Sequence, residues 1–447
     1  MPESIQYTKS IPVREDVDVF VAGGGPAGVA AALVAARQGK KVFLVEGQAC
    51  LGGMGTSGEV PAFMIFGDGV NFLASGIGQE VYDRLNETRE GVMKEYKMSI
   101  AMEDLKRLYD QMLIEAGVEF SFHTTLLDVV VKGGKVEAAI CNAKSGFFAV
   151  KAKMFIDGTG DGDLAVFAGA SFEKGDENGE MMPGTLCSIW ADIDFDRYYE
   201  FRRSSPDAFR NALHKAFEDG IFTVNDPHHP GVWRVGKHIG GGNFGHAFGV
   251  DPDDERSLTT HLVAGRKGLM EFRRFYREYI PGFEQADLVS SGALLGIREG
   301  RRITGDYQLG AEDFLARSVF DDEIGRYCYP IDMHPRHPSA ETYAKFLDEF
   351  RKKFRYAKGE SYGIPYRILL PKGLSNVLVT GRCVSTDYKM EGSLRVMPGC
   401  YITGQAAGMA ASIAATLGTD TRGVPVPTLL EKLQGIGAFL PNFTIQR

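Results

Sequence analysis

The segment at residues 18–46, DVFVAGGGPAGVAAALVAARQGKKVFLVE, limits what this chain can fold into more than any other. An apolar run at residues 17–22 predicts a buried parallel strand, and the alanine-rich stretch that stops near Gly39 predicts a helix. A second apolar run at residues 42–45 predicts another buried strand and ends in the acid Glu46. This order of strand, glycine loop, helix and strand predicts one βαβ unit of a doubly wound sheet.

The glycines of this segment have separate mechanical roles in a phosphate-binding loop. Gly23 allows the tight turn, Gly25 lets a pyrophosphate approach the backbone, and Gly28 lets helix and strand pack closely. The N-terminus of the helix, where Pro26 is tolerated, faces the phosphates, and Glu46 is placed to accept a ribose hydroxyl. A purely structural turn does not explain the acid, so the pattern predicts a dinucleotide site that fits NAD and FAD equally.

A second glycine-rich loop, GQACLGGMGTSGEV, follows the acid directly. NAD does not need such a loop, whereas a longer cofactor uses it when its ring system lies against backbone. Gly53 and Gly55 permit that approach, and Met54 and Thr56 are expected to line the ring.

Composition and charge exclude several classes of protein. The net charge of −8 and the absence of a basic block argue against a nucleic-acid partner. No apolar run is long enough to cross a bilayer, and residues 1–16 lack the apolar core of a signal peptide. The sequence therefore predicts a cytoplasmic protein with no membrane partner.

The six cysteines form no C-x-x-C pair, so the sequence predicts neither a zinc site nor a redox disulfide. The spacing of the histidines, aspartates and glutamates does not indicate any other metal site, and we expect none.

The residue composition and the predicted secondary-structure pattern change twice along the chain. Residues 1–170 continue the strand and helix pattern, with the amphipathic helix EDLKRLYDQMLIEA and then a strand meander that ends in DGTGDGD. Residues 171–366 mix aromatic, arginine and histidine residues with polar loops and predict an inserted substrate or cap domain, which residues 60–100 are expected to face. Residues 367–447 return to an apolar strand and a small-residue helix, so the nucleotide domain is predicted to be discontinuous.

Six segments together resemble the FAD-dependent oxidoreductases of the glutathione-reductase-like superfamily, which have two dinucleotide-binding domains. They are GGGPAG (23–28), LVE (44–46), LGGMGT (51–56), FIDGTGDGD (155–163), GIREGRRITGDYQL (296–309) and TGRCVSTDYKMEGSLRVMPGCYITGQAAG (380–408). The resemblance runs nearly from end to end. It implies an α/β fold, in which a Rossmann-like FAD-binding domain with a parallel sheet and a β-meander is interrupted by an inserted α+β substrate domain.

The resemblance also implies which residues hold the cofactor FAD. The pyrophosphate is assigned to Gly23, Gly25, Pro26, Ala27 and Gly28, and the adenosine ribose to Glu46. Gly53, Met54, Gly55 and Thr56 are expected near the flavin ring, and Gly158 and Gly160 near the adenine end. Backbone amides of Arg395, Val396 and Met397, at the start of the last long helix, are expected to face the pyrimidine edge of the flavin and stabilise negative charge there.

The chain departs from the family pattern at two positions. Related proteins close the ribityl site with a strand that ends in Gly-Asp, whereas this strand ends in Gly381-Arg382. The ribityl contact is therefore not carried over, and Arg382 is assigned to phosphate instead. Members of the closer group often carry histidine near position 388, where this chain has Tyr388, so a proton-transfer role is not carried over there.

Two residues are the strongest catalytic candidates. Arg298 directly follows an apolar run, and its guanidinium is expected to bind a substrate carboxylate through two parallel hydrogen bonds. The alternative for the group Arg298, Arg301 and Arg302 is an ordinary charge cluster. His246 is the candidate proton carrier because the ordinary pKa of histidine lies near neutrality, with a structural histidine as the alternative.

The leading function is hydride transfer between flavin N5 and a small, oxygen-rich or carboxylated substrate. A flavin monooxygenase and a flavin-bearing electron-transfer subunit of a larger complex remain as alternatives, and the acidic composition disfavours an RNA-modifying flavoprotein. The expected partners are the small-molecule substrate and an electron donor or acceptor. The sequence leaves the identity of that donor or acceptor and homo-oligomerisation open.

Overall fold

The structure of the protein is a computed structural model that describes residues 4–444. Its strands are β1 (Val13–Ala22), β2 (Val42–Val45), β3 (Glu119–Ser121), β4 (Thr125–Lys132), β5 (Lys135–Ala143), β6 (Gly146–Asp157), β7 (Phe172–Glu173), β8 (Gly184–Thr185), β9 (Ser188–Ala191), β10 (Val232–Arg234), β11 (Gly240–Gly242), β12 (His246–Ala247), β13 (Asp287–Ser291), β14 (Arg302–Ile303), β15 (Glu323–Tyr327), β16 (Tyr362–Pro365) and β17 (Val377–Val379).

The α-helices lie between these strands and after the last one. They are α1 (Pro26–Arg37), α2 (Ile77–Glu87), α3 (Met102–Glu115), α4 (Asp163–Phe167), α5 (Phe195–Ser204), α6 (Ala208–Glu218), α7 (Glu255–Tyr279), α8 (Ala311–Ala316), α9 (Ala340–Asp348), α10 (Tyr388–Leu394), α11 (Met397–Leu417) and α12 (Val426–Gly435). Short 3₁₀ helices occupy Gly53–Gly55, Gly91–Glu95, Tyr366–Leu369 and Gly381–Cys383, and a π-helical turn occupies Glu349–Lys353.

The largest sheet is built around β1 and β6 and confirms the predicted α/β class. Strands β3, β2, β1, β6 and β17 run parallel in that order, and β5 and β4 continue from β6 as an antiparallel meander. Ala22 pairs with both Val45 and Asp157, and Val379 pairs with Asp157. The carboxyl ends of four strands therefore meet at one edge, which is where α/β sheets place their ligands.

Helices α1 and α11 pack on each other with unusually close backbones. A Cβ atom on Gly404 would lie 2.3 Å from the carbonyl oxygen of Ala27, and one on Gly408 would lie 2.2 Å from that of Ala31. Gly404 and Gly408 lie one turn apart on α11. Because neither has a side chain, the backbone of α1 can approach the backbone of α11 directly. This contact explains why the sequence of α11 is so rich in small residues, and it fixes the position of the α1 N-terminus.

A second hydrophobic core forms between residues 186 and 295. Strands β10, β11, β9 and β13 make a four-stranded antiparallel sheet, and α5, α6 and α7 contribute to the same core. Its centre holds Trp190, Tyr276 and Phe283, with the last two rings stacked at 4.5 Å between centroids. We call this part of the chain the second unit.

Residues 303–366 contribute to the core of the large sheet rather than to the second unit. Ile303, Phe314, Ile324 and Tyr362 belong to the same buried cluster as the residues of β1 and α1. The inserted domain predicted over residues 171–366 stays a prediction. In the structure, residues up to about 295 pack in the second core, and residues from about 303 onward pack in the core of the large sheet.

Across residues 4–444, no helix is both long and apolar enough to cross a membrane.

Candidate functional site

One cavity of about 1050 Å³ joins the carboxyl edge of the large sheet to the second unit, and we call it the central cavity. Its walls come from the loops after β1, β2, β6 and β17, from the start of α11, and from segments of the second unit. The sequence-predicted residues that line it are Gly23, Gly25, Pro26, Ala27, Glu46, Gly53, Met54, Gly158, Gly160, Arg298, Arg382, Arg395, Val396 and Met397. Predicted cofactor and substrate residues therefore line the same cavity.

The first glycine loop turns tightly between β1 and α1. Gly23 has a φ of +91°, and a Cβ there would lie 2.5 Å from the carbonyl oxygen of Gly158. Gly28 does not line the cavity, because it packs on the loop itself, and a Cβ on it would lie 1.9 Å from the carbonyl oxygen of Gly23. These two contacts require glycine at both positions and give Gly28 its predicted role in helix and strand packing.

Gly25 faces open space instead of protein. It is the N-cap residue of α1, with a φ of −67° that any residue adopts, and a Cβ there would meet only the oxygen of Gly158, at 4.0 Å. The absence of a side chain leaves a cradle against the free N–H groups of the helix N-terminus, the arrangement that binds phosphate. The residues of this loop therefore fit the pyrophosphate of a dinucleotide.

Glu46 lies at the cavity wall with both carboxylate oxygens engaged. The backbone N–H of Gly24 donates to Oε2 at 2.7 Å, and that of Gln48 donates to Oε1 at 2.8 Å. Burial raises the pKa of Glu46, and the two backbone donors oppose that rise. The carboxylate is thus held rigidly at the end of β2, where the free lone pairs of its oxygens can accept a ribose hydroxyl.

The second glycine loop folds back onto the first. A Cβ on Gly53 would lie 3.3 Å from the Cα of Gly25, and Gly53 and Met54 both line the central cavity. Gly55 and Thr56, predicted near the ring system, lie behind this wall, with Thr56 buried and its hydroxyl donating to the carbonyl of Leu51 at 2.6 Å. Their role is to shape the loop.

The third loop, after β6, is held in place by a buried acid and an arginine. Asp157 is fully buried and accepts hydrogen bonds from the backbone N–H groups of Thr159 and Ala165. Arg382 was assigned to phosphate, but its guanidinium donates to the carbonyls of Gly160 and Ile297, each at 3.0 Å, and to Asp161 at 2.5 Å. Arg382 therefore orders the cavity wall through protein contacts.

The N-terminus of α11 also opens onto the cavity. Val396 is its N-cap residue, Arg395 and Met397 flank it, and all three line the cavity. The guanidinium of Arg395 lies 3.5 Å from the carboxylate of Asp332, so the arginine is held at the wall. The partial positive charge of a long helix therefore faces the cavity at the position predicted to meet the flavin.

Arg298 is buried at the wall of the cavity, with 7% of its surface exposed. One terminal nitrogen donates to the carbonyl of Pro183 and the hydroxyl of Thr185, each at 2.8 Å, and the other donates to the side-chain oxygen of Asn243 at 3.3 Å. Burial, followed by the charge of Arg395, lowers the pKa of Arg298 to about 10. It therefore stays cationic at neutral pH, and its hydrogen-bond partners are neutral.

The neighbouring arginines are engaged elsewhere, as the charge-cluster alternative predicts for them. Arg302 is buried against the carboxylates of Glu299 and Glu391, at 3.0 and 3.3 Å. Arg301 donates to the carbonyl of Asp161 at 2.6 Å. The structure thus separates Arg298 from the other two arginines of the same motif.

His246 does not line the cavity, and 1% of its side chain is exposed. It lies behind His334, with its Nε2 atom 2.9 Å from Nδ1 of His334, and its ring stacks on His228 at 4.8 Å between centroids. His228 and His334 do line the cavity. We call these three residues the imidazole cluster.

Sequence reasoning missed most of this cluster and its acids. His228 was interpreted as part of a loop, which it is, but that loop reaches the cavity wall. Asp332 and His334 lie in the stretch after β15, IDMHPRH, which carries no motif. Three segments far apart in sequence converge here, so only the tertiary fold could reveal the group. Tyr388, by contrast, lies outside the cavity lining, and its hydroxyl donates to Glu177 at 3.3 Å.

A sequence model of the FAD dependent oxidoreductase family matches residues 18–434. The chain belongs to this family. The match spans both the glycine loops and the second unit, and FAD is the cofactor of this enzyme. The residues that would hold FAD are those of the three loops and of the α11 N-terminus, and the open cradle at Gly25 fits its pyrophosphate.

Curated relatives share a shorter stretch. Thiamine thiazole synthase of Methanococcus aeolicus is 30% identical over 185 residues, which are 40% of this chain and 66% of that protein. The same enzyme of Pyrococcus abyssi is 28% identical over 167 residues, 35% of this chain and 62% of that protein. The chain therefore spans just under two thirds of the length of these relatives and extends well beyond the matched part.

Two solved structures align with nearly the whole chain. A geranylgeranyl bacteriochlorophyll reductase-like protein of Thermoplasma acidophilum has a TM-score of 0.42 at 14% identity and covers 94% of this chain and 83% of its own. L-proline dehydrogenase of P. horikoshii has a TM-score of 0.43 at 10% identity, with 95% and 99% covered.

We expect NADH and NADPH to reduce the bound flavin slowly, below about 1 s⁻¹, the lower end of ordinary enzyme turnover. The second G-x-G-x-x-G string, at residues 240–245, is not a nucleotide loop, because Gly240–Gly242 form strand β11 and a Cβ on Gly241 would lie 2.2 Å from Pro61. Anaerobic stopped-flow absorbance measures the rate. Bleaching at rates typical of turnover with either nucleotide would contradict the prediction.

Proposed function

We propose that this enzyme transfers a hydride between FAD and a small carboxylated substrate, which binds in the central cavity with its carboxylate on Arg298. One observation carries the proposal: a buried guanidinium lines the cavity that the cofactor loops also line, and it donates to neutral acceptors. FAD supplies the hydride chemistry when bound, and the chain binds, orients and shields the substrate.

A carboxylate is the acceptor that this guanidinium lacks. Burying a cation has a desolvation cost of several kcal/mol, about as large as an ion pair in good geometry returns. Among residues 4–444, the acceptors within hydrogen-bond distance are the carbonyl of Pro183, the hydroxyl of Thr185 and the amide oxygen of Asn243. These contacts fix the orientation of the guanidinium without neutralising it. A bound carboxylate would supply the missing charge and accept two parallel hydrogen bonds.

Part of the cavity wall next to Arg298 is apolar. The adjoining lining residues from the second unit are apolar (Ala293, Leu294, Leu295 and Ile297), and α9 adds Phe346 and Leu347. A carboxylate in such a setting interacts with the arginine more strongly than it does in water, because the local dielectric constant is low. The geometry therefore supports selective binding of a small acid over a neutral analogue.

The proton that accompanies hydride transfer was assigned to His246 from the sequence. Because His246 lies behind His334, it reaches the cavity only through the 2.9 Å contact between the two rings. Burial lowers the pKa of His228 to about 4, and it lowers that of His334 well below the ordinary value. The members of the imidazole cluster that face the cavity are therefore His228 and His334.

The substitution Arg298→Lys tests this proposal, because it keeps the charge and removes the planar fork. Hydroxy acids, unsaturated acids and sugar acids are first screened anaerobically for reduction or reoxidation of the flavin. On an active acid, we expect Arg298→Lys to lower kcat/KM by about 10- to 100-fold, the loss of a charge-assisted partner worth about 1.5–3 kcal/mol. The FAD content should not change.

The matched control is Arg274→Lys on α7, where the arginine is exposed and paired with Glu278 one turn on. It should leave kcat/KM unchanged. The proposal is wrong if Arg298→Lys keeps full activity on the acid, or if only neutral compounds react. Steady oxygen consumption with hydroxylation of the product would show the monooxygenase alternative instead.

A further inference from the structure

The imidazole cluster brings together one ring from each of three separate segments. His228 lies in the loop between α6 and β10, His246 begins β12, and His334 lies between β15 and α9. One nitrogen of each ring lies within 4.8 Å of one nitrogen of the other two. The ring centroids are 4.7, 4.8 and 5.0 Å apart. The three rings are therefore direct neighbours, with one nitrogen of each in the same small region.

Two carboxylates lie on the outer side of this cluster. Oδ2 of Asp226 is 2.9 Å from Nδ1 of His246, and Oδ2 of Asp332 is 3.4 Å from Nε2 of His334. Metal-bound histidines usually donate their second ring N–H to a carboxylate, which fixes the tautomer and turns the other nitrogen toward the metal. Both histidines have a carboxylate oxygen beside the second ring nitrogen, at the distance of an ion pair.

The facing nitrogens create a problem that a cation resolves. Nε2 of His246 and Nδ1 of His334 face each other at 2.9 Å. In the tautomers that direct both ring protons at Asp226 and Asp332, these two nitrogens turn acceptor lone pairs toward each other. Two lone pairs at this distance repel unless a proton or a metal ion lies between them.

The 2.9 Å between the facing nitrogens of His246 and His334 is close to the spacing of two ligands on one metal ion, and one nitrogen of His228 lies within 4.8 Å of a nitrogen of each of these two rings. With bonds of about 2.0–2.1 Å to imidazole nitrogen, two neighbouring ligand atoms lie about 3.0–3.4 Å apart. His228 adds a third donor, because its Nδ1 is buried and has no hydrogen-bond partner among residues 4–444. Phe346 stacks on His334 and packs edge-on to His228, and it gives the group an apolar flank.

We propose that His228, His246 and His334 bind a divalent transition-metal ion, each through one imidazole nitrogen. Imidazole is a preferred ligand of zinc, iron, copper and nickel, and three protein ligands leave a coordination position open. Since His228 and His334 line the central cavity, that position faces the substrate space. The charges of Asp226 and Asp332 offset the metal charge beside Arg298. This site goes beyond the proposed hydride transfer and does not depend on it.

The test uses the FAD-bound protein after treatment with a chelator and then titration with zinc alone. We expect equimolar binding, measured by calorimetry and by elemental analysis after desalting. His228→Gln, His246→Gln and His334→Gln should each lower the zinc affinity by at least about 10- to 100-fold, the loss that even outer carboxylate partners cause. The matched control is His337→Gln, three residues from His334 and exposed, which should bind zinc as the wild type does.

Circular dichroism and FAD content report whether each variant is folded. If a single variant does not fold, the other two and the wild-type titration still decide the question. The proposal is overturned if the folded wild-type protein binds no zinc, or if the three cluster variants bind it as well as His337→Gln does. Arg298→Lys should keep zinc binding while losing turnover, so that a failed metal site and a failed carboxylate site give different results.

Discussion

Gly25→Val is expected to give a folded protein that binds FAD less tightly than the wild type. The backbone at position 25 accepts valine without strain, and the new side chain projects into the cradle at the α1 N-terminus, where only one protein atom lies within 4 Å, the oxygen of Gly158. The side chain therefore occupies the space of the pyrophosphate without disturbing the protein core. Overpacking in proteins typically has a cost of about 1–3 kcal/mol. If the valine side chain at position 25 weakens FAD binding by that amount, the affinity falls by about 5- to 150-fold.

Gly268→Val is the matched control, because Gly268 lies inside α7 and a Cβ there meets no atom within 4 Å. Absorbance at the flavin band, divided by the protein concentration, should fall in Gly25→Val and stay at the wild-type value in Gly268→Val. A folded Gly25→Val protein with full FAD content would mean that the cofactor does not lie against this loop.

Gly404→Ala is expected to destabilise the whole protein by about 3 kcal/mol, the upper end of the usual range for overpacked cores. The added methyl group would lie 2.3 Å from the carbonyl oxygen of Ala27, a backbone atom that cannot rotate away. Since α1 and α11 also carry the two helix N-termini at the cavity, FAD affinity should fall together with stability. Thermal unfolding followed by circular dichroism measures the first effect, and flavin release measures the second.

The same substitution at a solvent-facing helix position should have the opposite sign. Gly268→Ala adds a methyl group in open space on α7 and removes the conformational freedom of glycine, so it should stabilise by about 0.5–1 kcal/mol. If Gly404→Ala and Gly268→Ala shift the unfolding midpoint equally, the close contact between α1 and α11 does not exist in solution.

The FAD half of the site was predictable because its signals are local. One βαβ unit contains Gly23, Gly25 and Glu46, and their spacing in the sequence sets their positions. The next loop in the sequence contains Gly53 and Met54. The register of the large sheet then brings the loops after β1, β2 and β6 to one edge. Local pattern and overall fold agree there, and most of the residues predicted to bind FAD line one cavity.

The substrate half depends on contacts that no local pattern encodes. Arg298, Arg301 and Arg302 share one motif, but only their tertiary partners show that Arg298 has neutral acceptors while Arg302 is paired with Glu299 and Glu391. The imidazole cluster brings together residues that are more than one hundred positions apart in the sequence, from His228 to His334. Sequence spacing therefore predicted no metal site, and the burial of His246 behind His334 was not visible either.

The identity of the flavin released from the purified protein tests the account most directly. The cradle at Gly25 and the carboxylate of Glu46 fit a dinucleotide, whereas FMN would leave the adenosine side of the cavity without a ligand. Heat or acid release, followed by chromatography and mass spectrometry, should yield FAD in equimolar amount with the chain. Release of FMN alone, or of NAD without any flavin, would contradict the account.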